Sequence, residues 1–122
     1  MKLSLDHPSK GHQITHYEPG VIRIDQTNYQ HSVCLMPNQI QPWKIKKVEH
    51  ITENDIHNLL AFSPSLIIIG TGENNVTLNP QLLEICYSKN IGVEVSQTRA
   101  ACWTYMTLLA DVDHILAALI ID

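Results

Sequence analysis

Two stretches of the chain carry residue types whose spacing suits chemistry. Gly70-Thr71-Gly72 closes an apolar run. Paired glycines there let a ligand approach the main chain without meeting a Cβ, and loop amides can face an anion. Thr98-Arg99-Ala100-Ala101-Cys102 opens a helical stretch. A helix N-terminus favours anions and lowers the pKa of a cysteine in its first turn, and Arg99 stands close by to reinforce both effects.

Each stretch also has a plainer reading. The glycines are neither a P-loop nor a GxGxxG fingerprint: no Lys-Ser/Thr pair follows, and Asn74 and Asn75 occupy the place where a nucleotide loop would continue. A simple tight turn is the stronger expectation. At about 100° per residue, Ala101, Cys102, Tyr105, Met106, Leu108 and Leu109 share one helical face. That makes Cys102 first of all a core thiol. Arg99, Trp103 and Thr107 fall nearer the other side, where Trp103 either packs beneath another element or forms an exposed patch for a partner to cover.

The other candidates are weaker. Lys44, Lys46 and Lys47 beside Trp43 have the composition to touch a phosphate, but a solvated strand edge explains them more simply. His7, His12 and His16 recur at helix-like spacing, yet Pro8 and Gly11 interrupt them, which argues against a zinc site. Asp111, Asp113 and His114 follow a helix and read as a solvated connection. Nothing matches GxSxG, HExxH, an EF-hand loop or a spaced Cys/His set. No catalytic residue, metal or cofactor is therefore expected.

The elements that must position these residues change character along the chain. Ile14 to Tyr17, the turn Glu18-Pro19-Gly20 and Val21 to Ile24 predict a β-hairpin. Asp25 to Tyr29 reads as a polar turn, His31 to Leu35 as a third short strand, Pro37 and Pro42 as the brackets of a loop, and Trp43 to Val48 as another extended piece. Thr52 then looks like an N-cap with acids in the first turn, Ile56, Leu59 and Leu60 give a helical stripe, and Pro64 ends it. Leu66 to Ile69, apolar without alternation, suits a strand covered on both faces. Asn79-Pro80 starts a second helix that Asn90 stops. Ile91 to Val95 is the next strand, and Ser96 or Thr98 caps a third helix running through Ala110. The tail Ile115 to Ile121 reads as a last strand, although Leu116-Ala117-Ala118-Leu119 tolerates helix. The second half is thus built from βαβ units.

The 122 residues suffice for one domain, taken as residues 1–122 with a mobile segment at 1–12. A net charge of -4 gives no general attraction to nucleic acid or anionic membranes. No stretch approaches the ~20 apolar residues of a membrane span, and Met1 to Lys10 resembles neither a secretory signal nor a transit peptide. Cys34, Cys86 and Cys102, odd in number and without CxxC spacing, fit reduced thiols, so a cytoplasmic location is expected. The apolar end at Ile120-Ile121 belongs either in the core or at the seam of a homo-oligomer.

Pro64 to Gly72 resembles the strand and glycine turn of the Mth-type domain family. Ile91 to Val95, then Thr98 to Tyr105, then Ala117-Ala118-Leu119 resemble its second signature, and the turn at Pro19-Gly20 with strands on either side is similar in outline to its N-terminal part. That family includes a mitochondrial complex I assembly factor, an adipogenesis-associated protein, and many uncharacterised bacterial and archaeal members. The resemblance implies an α/β fold with a central mixed, mostly parallel sheet flanked by helices and a small extra antiparallel part. It implies strand for the tail, and a contact surface involving Gly70, Thr71, Gly72, Thr98, Cys102, Thr104 and Tyr105. The chain departs from the pattern where Met106 replaces an asparagine, where Trp103 replaces a basic residue, and where Asp111-Val112-Asp113 replaces a Glu-Gly-Arg-like turn. Those changes make any pocket drier and less cationic.

The functional expectation is a non-enzymatic accessory or interaction module with a protein partner, connected through the resemblance to assembly of a respiratory complex. The alternative is a small-molecule or anion-binding protein, or a thiol enzyme, that uses the Gly70–Gly72 turn and Cys102.

Overall fold

The computed structural model describes residues 11–122. His7 and positions 1–10 of the segment expected to be mobile lie outside the described residues. Gly11 and His12 do not behave as a loose end. The His12 amide donates to the Pro37 carbonyl at 2.9 Å, and its carbonyl accepts from the Tyr105 hydroxyl at 3.1 Å.

Among the described residues, eight strands and three α-helices follow in the order β1 (Ile14–Glu18), β2 (Val21–Ile24), β3 (Thr27–Tyr29), β4 (Val33–Met36), β5 (Gln39–Pro42), α1 (Glu53–Leu60), β6 (Leu66–Gly70), α2 (Pro80–Tyr87), β7 (Gly92–Ser96), α3 (Thr98–Leu108) and β8 (Ile115–Leu119). A 3-10 turn at Val48–His50 precedes α1. Strands β1, β2 and β3 form an antiparallel sheet, and a second, five-stranded sheet has the order β5-β4-β8-β6-β7. Within the larger sheet, β6 pairs in parallel with β7 and β8, while β4 pairs antiparallel with β5 and β8. The sheet is therefore mixed in equal parts. Its antiparallel half comes from β4 and β5, because the N-terminal hairpin forms a sheet of its own.

The larger sheet separates two apolar layers. Ile67, Ile69, Leu116 and Ala118 face Ile56 and Leu59 of α1 and Leu82 and Cys86 of α2. Ile68, Ala117, Leu119, Val33 and Leu35 face α3 and the small sheet through Ala101, Tyr105, Ile22 and Ile24. Both faces are covered, so the central strands need no polar alternation. This is why Leu66 to Ile69 and the tail read as continuous apolar runs. The tail is the middle strand. Ala117 and Ala118, whose helix tolerance favoured another outcome locally, point to opposite layers, where their small size lets both pack close. Ile120 and Ile121 are buried within the chain itself, which answers the alternative of an oligomer seam for these two residues.

Local signals account for the helices. Thr52 caps α1 in a reciprocal box with Asp55, each side chain bonded to the other residue's amide. Asn79 caps α2 ahead of Pro80. Asn90 stops it with a positive φ of 61°. Helix α3 differs: Gln97 is its cap residue and makes no side-chain cap bond, while Thr98 lies inside the first turn.

Three segments depart from the sequence reading. Asp25 to Tyr29 contains β3 after a turn in which Asp25 has φ 55°. The Pro37–Pro42 segment holds strand β5. Trp43 to Val48 is a loop leading into the 3-10 turn, so Lys44, Lys46 and Lys47 lie on no strand edge. Strands β3 and β5 are both at sheet edges, where polar residues and a proline are tolerated and the period-2 signal fades.

Candidate functional site

Parallel pairing sets the carboxyl ends of β6, β7 and β8 side by side, which is where open α/β sheets gather ligands. Thr98 stitches the three ends together. Its amide donates to the Gly72 carbonyl at 2.8 Å, its hydroxyl accepts from the Gly72 amide at 2.8 Å, and that hydroxyl donates to the Ile120 carbonyl at 2.7 Å. The Thr71 amide reaches the Ser96 carbonyl at 2.9 Å, and the Ile120 amide reaches the Gly70 carbonyl at 3.0 Å. The Thr71 hydroxyl donates to the Asn74 carbonyl and fixes the loop that follows.

The glycines serve this stitching. A Cβ at Gly70 would sit 2.8 Å from the Thr98 hydroxyl oxygen and 3.0 Å from its Cα. Gly72 has φ 94°, and a Cβ there would meet the Asp122 carboxylate at 2.6 Å. Gly70, Thr71 and Thr98 are thus buried scaffold rather than ligand-facing surface.

Above this scaffold lies a cavity of about 110 Å³ lined by Tyr17, Pro19, Gly72, Glu73, Gln97 and Arg99. The Arg99 guanidinium stands 5.2 Å over the centre of the Tyr17 ring, a cation–π contact. The Tyr17 hydroxyl is buried and has no hydrogen-bond partner. Burial first, then the charges of Asp122 and Glu73, raise its pKa, while Arg99 acts in the opposite sense. The cavity therefore mixes one cation with nearby carboxylates. It is not a purely anion-attracting cradle.

The sequence-predicted residues separate into distinct groups. Gly72 and Arg99 reach the cavity. Cys102, 6% exposed, belongs to the core, where burial pushes its thiol up to about 12, against a smaller lowering by Arg99. The thiolate required by the thiol-enzyme alternative is opposed by this environment: desolvation outweighs both the helix terminus and the arginine. Tyr105 is wholly buried. Burial, then the Asp25 charge, raise the pKa of its phenol. The Thr104 hydroxyl bonds back to the Ala100 carbonyl at 3.0 Å. Trp103 is 69% exposed and covered by nothing among the described residues. Met106, on the flank of α3 facing β1, takes the Ile14 amide on its sulfur at 3.2 Å.

Tyr17, Pro19, Glu73 and Gln97 had no signal in the sequence as site residues. Tyr17 and Pro19 come from the hairpin, more than 50 positions before Gly72, and only the docking of the small sheet against α3 delivers them. Among the described residues no three His, Cys, Asp or Glu side chains cluster to hold a metal ion.

A mixed sheet between two apolar layers, an antiparallel annex and a glycine turn locked to a helix start define a small α/β domain. The chain belongs to the family described as "Protein of unknown function (DUF498/DUF598)", whose model matches residues 14–120. It is similar to the mouse protein named NADH dehydrogenase [ubiquinone] 1 alpha subcomplex assembly factor 3, at 31% identity over 73 residues, which are 58% of this chain and 40% of that one. The match thus spans less than half of that relative's length. Among solved structures, a Bordetella parapertussis protein superimposes with a TM-score of 0.85 at 25% identity, covering 94% of this chain and 99% of the other. A Bordetella pertussis protein described as a Mth938-like domain gives 0.82 at 24% identity, covering 100% and 93%, and shows the fold alone. The family and the α/β fold implied by the resemblance both hold.

Proposed function

We propose that this chain is a non-enzymatic interaction module that binds a protein partner through the outward face of α3, with Trp103 and Arg99 as its anchors. The observation that carries the reading is the exposure of Trp103, 69%, on a helix whose opposite face fills the core. A large aromatic side chain left in water costs solvation free energy that a partner recovers on covering it, and Trp and Arg dominate binding hot spots. Arg99 lies one turn before Trp103, held over Tyr17, so the two present a partly pre-ordered pair. The likeness to an assembly factor of NADH dehydrogenase supports a partner among respiratory-complex subunits. Among the described residues no helix is long and apolar enough to cross a membrane, and three free, buried cysteines suit a reducing compartment such as the cytoplasm.

The test is an affinity pull-down of tagged protein from its native host's lysate, read by mass spectrometry beside a Trp103→Ala control of matched melting temperature. Recovery of respiratory-complex subunits that the control loses supports the reading. Equal recovery by both proteins would remove Trp103 from the interface. A second reading, in which a small polar ligand occupies the cavity between Arg99, Gln97 and Glu73, is favoured by the unpartnered Tyr17 hydroxyl. It predicts ligand-induced protection of that cavity with Trp103 left exposed.

A further inference from the structure

Three of the chain's eight basic side chains fall at Lys44, Lys46 and Lys47, and the α3 surface uses none of them. They belong to the other side of the large sheet, because Ile45, Val48 and Ile51 all pack into the layer shared with α1 and α2. Burial of Ile45 between two exposed lysines turns Lys44 and Lys46 outward from one anchored point. The 3-10 turn then brings His50 to the same place, and the start of α1 brings Thr52 and Asp55. Together with Ile45, these five side chains line a cavity of about 280 Å³.

The one acid lining it is already engaged. One oxygen of Asp55 accepts from the Thr52 amide at 2.8 Å and from the Thr52 hydroxyl at 2.9 Å. The other faces the Lys44 ammonium at 3.4 Å. Asp55 is 3% exposed, whereas Lys44 is 75% exposed, so the lysine can turn from the carboxylate to a ligand while Thr52 continues to satisfy Asp55. Lys46 and His50 have no ion-pair partner among the described residues. The exposed acids of the same stretch, Glu49 and Glu53, do not line the cavity. Its interior is therefore cationic in a chain of net charge -4.

We propose that this cavity binds a small molecule through an oxyanion group, a phosphate or a carboxylate, held by Lys46 and Lys44 with His50 at its edge. The cavity is larger than a bare phosphate needs, leaving room for the body of the molecule against Ile45. An open pocket with two or three donors converging on one spot suits a single anionic group. A nucleic-acid backbone would need a continuous basic track, and the overall acidity opposes that. The site is independent of the α3 surface, from which the sheet separates it.

The experiment is an NMR titration of the full chain, following backbone amides, with inorganic phosphate and with citrate, each against sodium chloride of equal ionic strength. Saturable shifts confined to the amides of Lys44 through Asp55, absent with chloride, are the expected result. Saturation by phosphate alone assigns a phosphoryl group, and by citrate alone a carboxylate. Lys46→Glu should weaken binding by about tenfold or more, because a like charge now faces the anion, and Arg99→Ala should leave it unchanged. Lys46→Gln, which removes the charge with little change of bulk, gives the same direction should the Glu variant fold poorly. Non-saturating shifts, shifts shared with chloride, shifts centred on Gly72 and Arg99, or binding indifferent to both Lys46 variants would each overturn the proposal.

Discussion

Thr98 and Gly72 hold each other reciprocally: the Gly72 amide donates to the Thr98 hydroxyl and the Thr98 amide donates to the Gly72 carbonyl, both at 2.8 Å. Because the same hydroxyl donates onward to Ile120, one side chain joins the glycine turn, the start of α3 and the end of the central strand. All of this happens without water, since Thr98 is fully buried.

Thr98→Val keeps the shape and removes the hydroxyl, leaving the Gly72 amide and the Ile120 carbonyl buried with one partner fewer. The expected loss is about 1–3 kcal/mol, read as a lower urea midpoint with an unchanged slope. Thr98→Ser should retain most of the stability because it keeps both hydrogen bonds. Equal losses in the two variants would mean that methyl packing, and not the bonds, is what Thr98 contributes.

The three glycines near the sheet should rank by what a methyl group meets. At Gly70 the nearest atoms belong to Thr98, including its Cα at 3.0 Å, so backbone must move and Gly70→Ala should cost about 2–3 kcal/mol. Gly72→Ala meets an exposed Asp122 side chain that can swing away, leaving mainly the positive φ of 94°, at about 1–2 kcal/mol. Gly92→Ala meets only the end of the Leu66 side chain at 3.3 Å and should be close to neutral. Thermal melts of the three variants test the order.

Cys102 should be silent toward thiol reagents. With its thiol pushed up to about 12, the thiolate fraction at pH 8 is on the order of 10⁻⁴, and burial blocks access besides. Cys34 is likewise raised to about 12 by burial alone. Ellman's reagent should label none of the three cysteines within minutes in the folded protein and all three after denaturation. A single fast native thiol, mapped to Cys102 by peptide mass, would restore the thiol-chemistry alternative.

How much of this was legible beforehand depended on range. The hairpin at Pro19-Gly20, the caps at Thr52 and Asn79 and the stop at Asn90 are local devices, written within four residues of where they act. The inward face of α3 followed from periodicity, and Trp103 fell outside it. Strands β3 and β5 carried no pattern because edge positions do not require one. Thr98 was readable as a cap; its actual partners, Gly72 and Ile120, lie more than 20 positions away on either side. The cavity beside Arg99 was out of reach for the same reason, since Tyr17 arrives on a different sheet. The lysine cluster was visible, but the cavity behind it depends on Ile45 turning inward and on the start of α1, which composition does not reveal.

Asp55 gives the fold a dependence on acid whose sign can be worked out. Burial raises its pKa, but the hydrogen bonds from Thr52 and the charge of Lys44 outweigh this, and the net effect lowers it from 3.8. A carboxylate with a lower pKa in the folded state binds fewer protons there than in the unfolded chain. Its contribution is therefore complete above the unfolded value and is lost as pH falls through the folded one. Asp55→Asn keeps an acceptor for the Thr52 amide but gives up the charge that attracts Lys44 and complements the helix start. At pH 7 the variant should be less stable by about 1 kcal/mol, and the difference should shrink steadily as the pH is brought below 4. Urea midpoints of both proteins from pH 7 down to pH 2.5 measure it. A gap that stays constant over that range would mean that Asp55 acts through hydrogen-bond geometry alone, and that Lys44 is already free to serve a ligand.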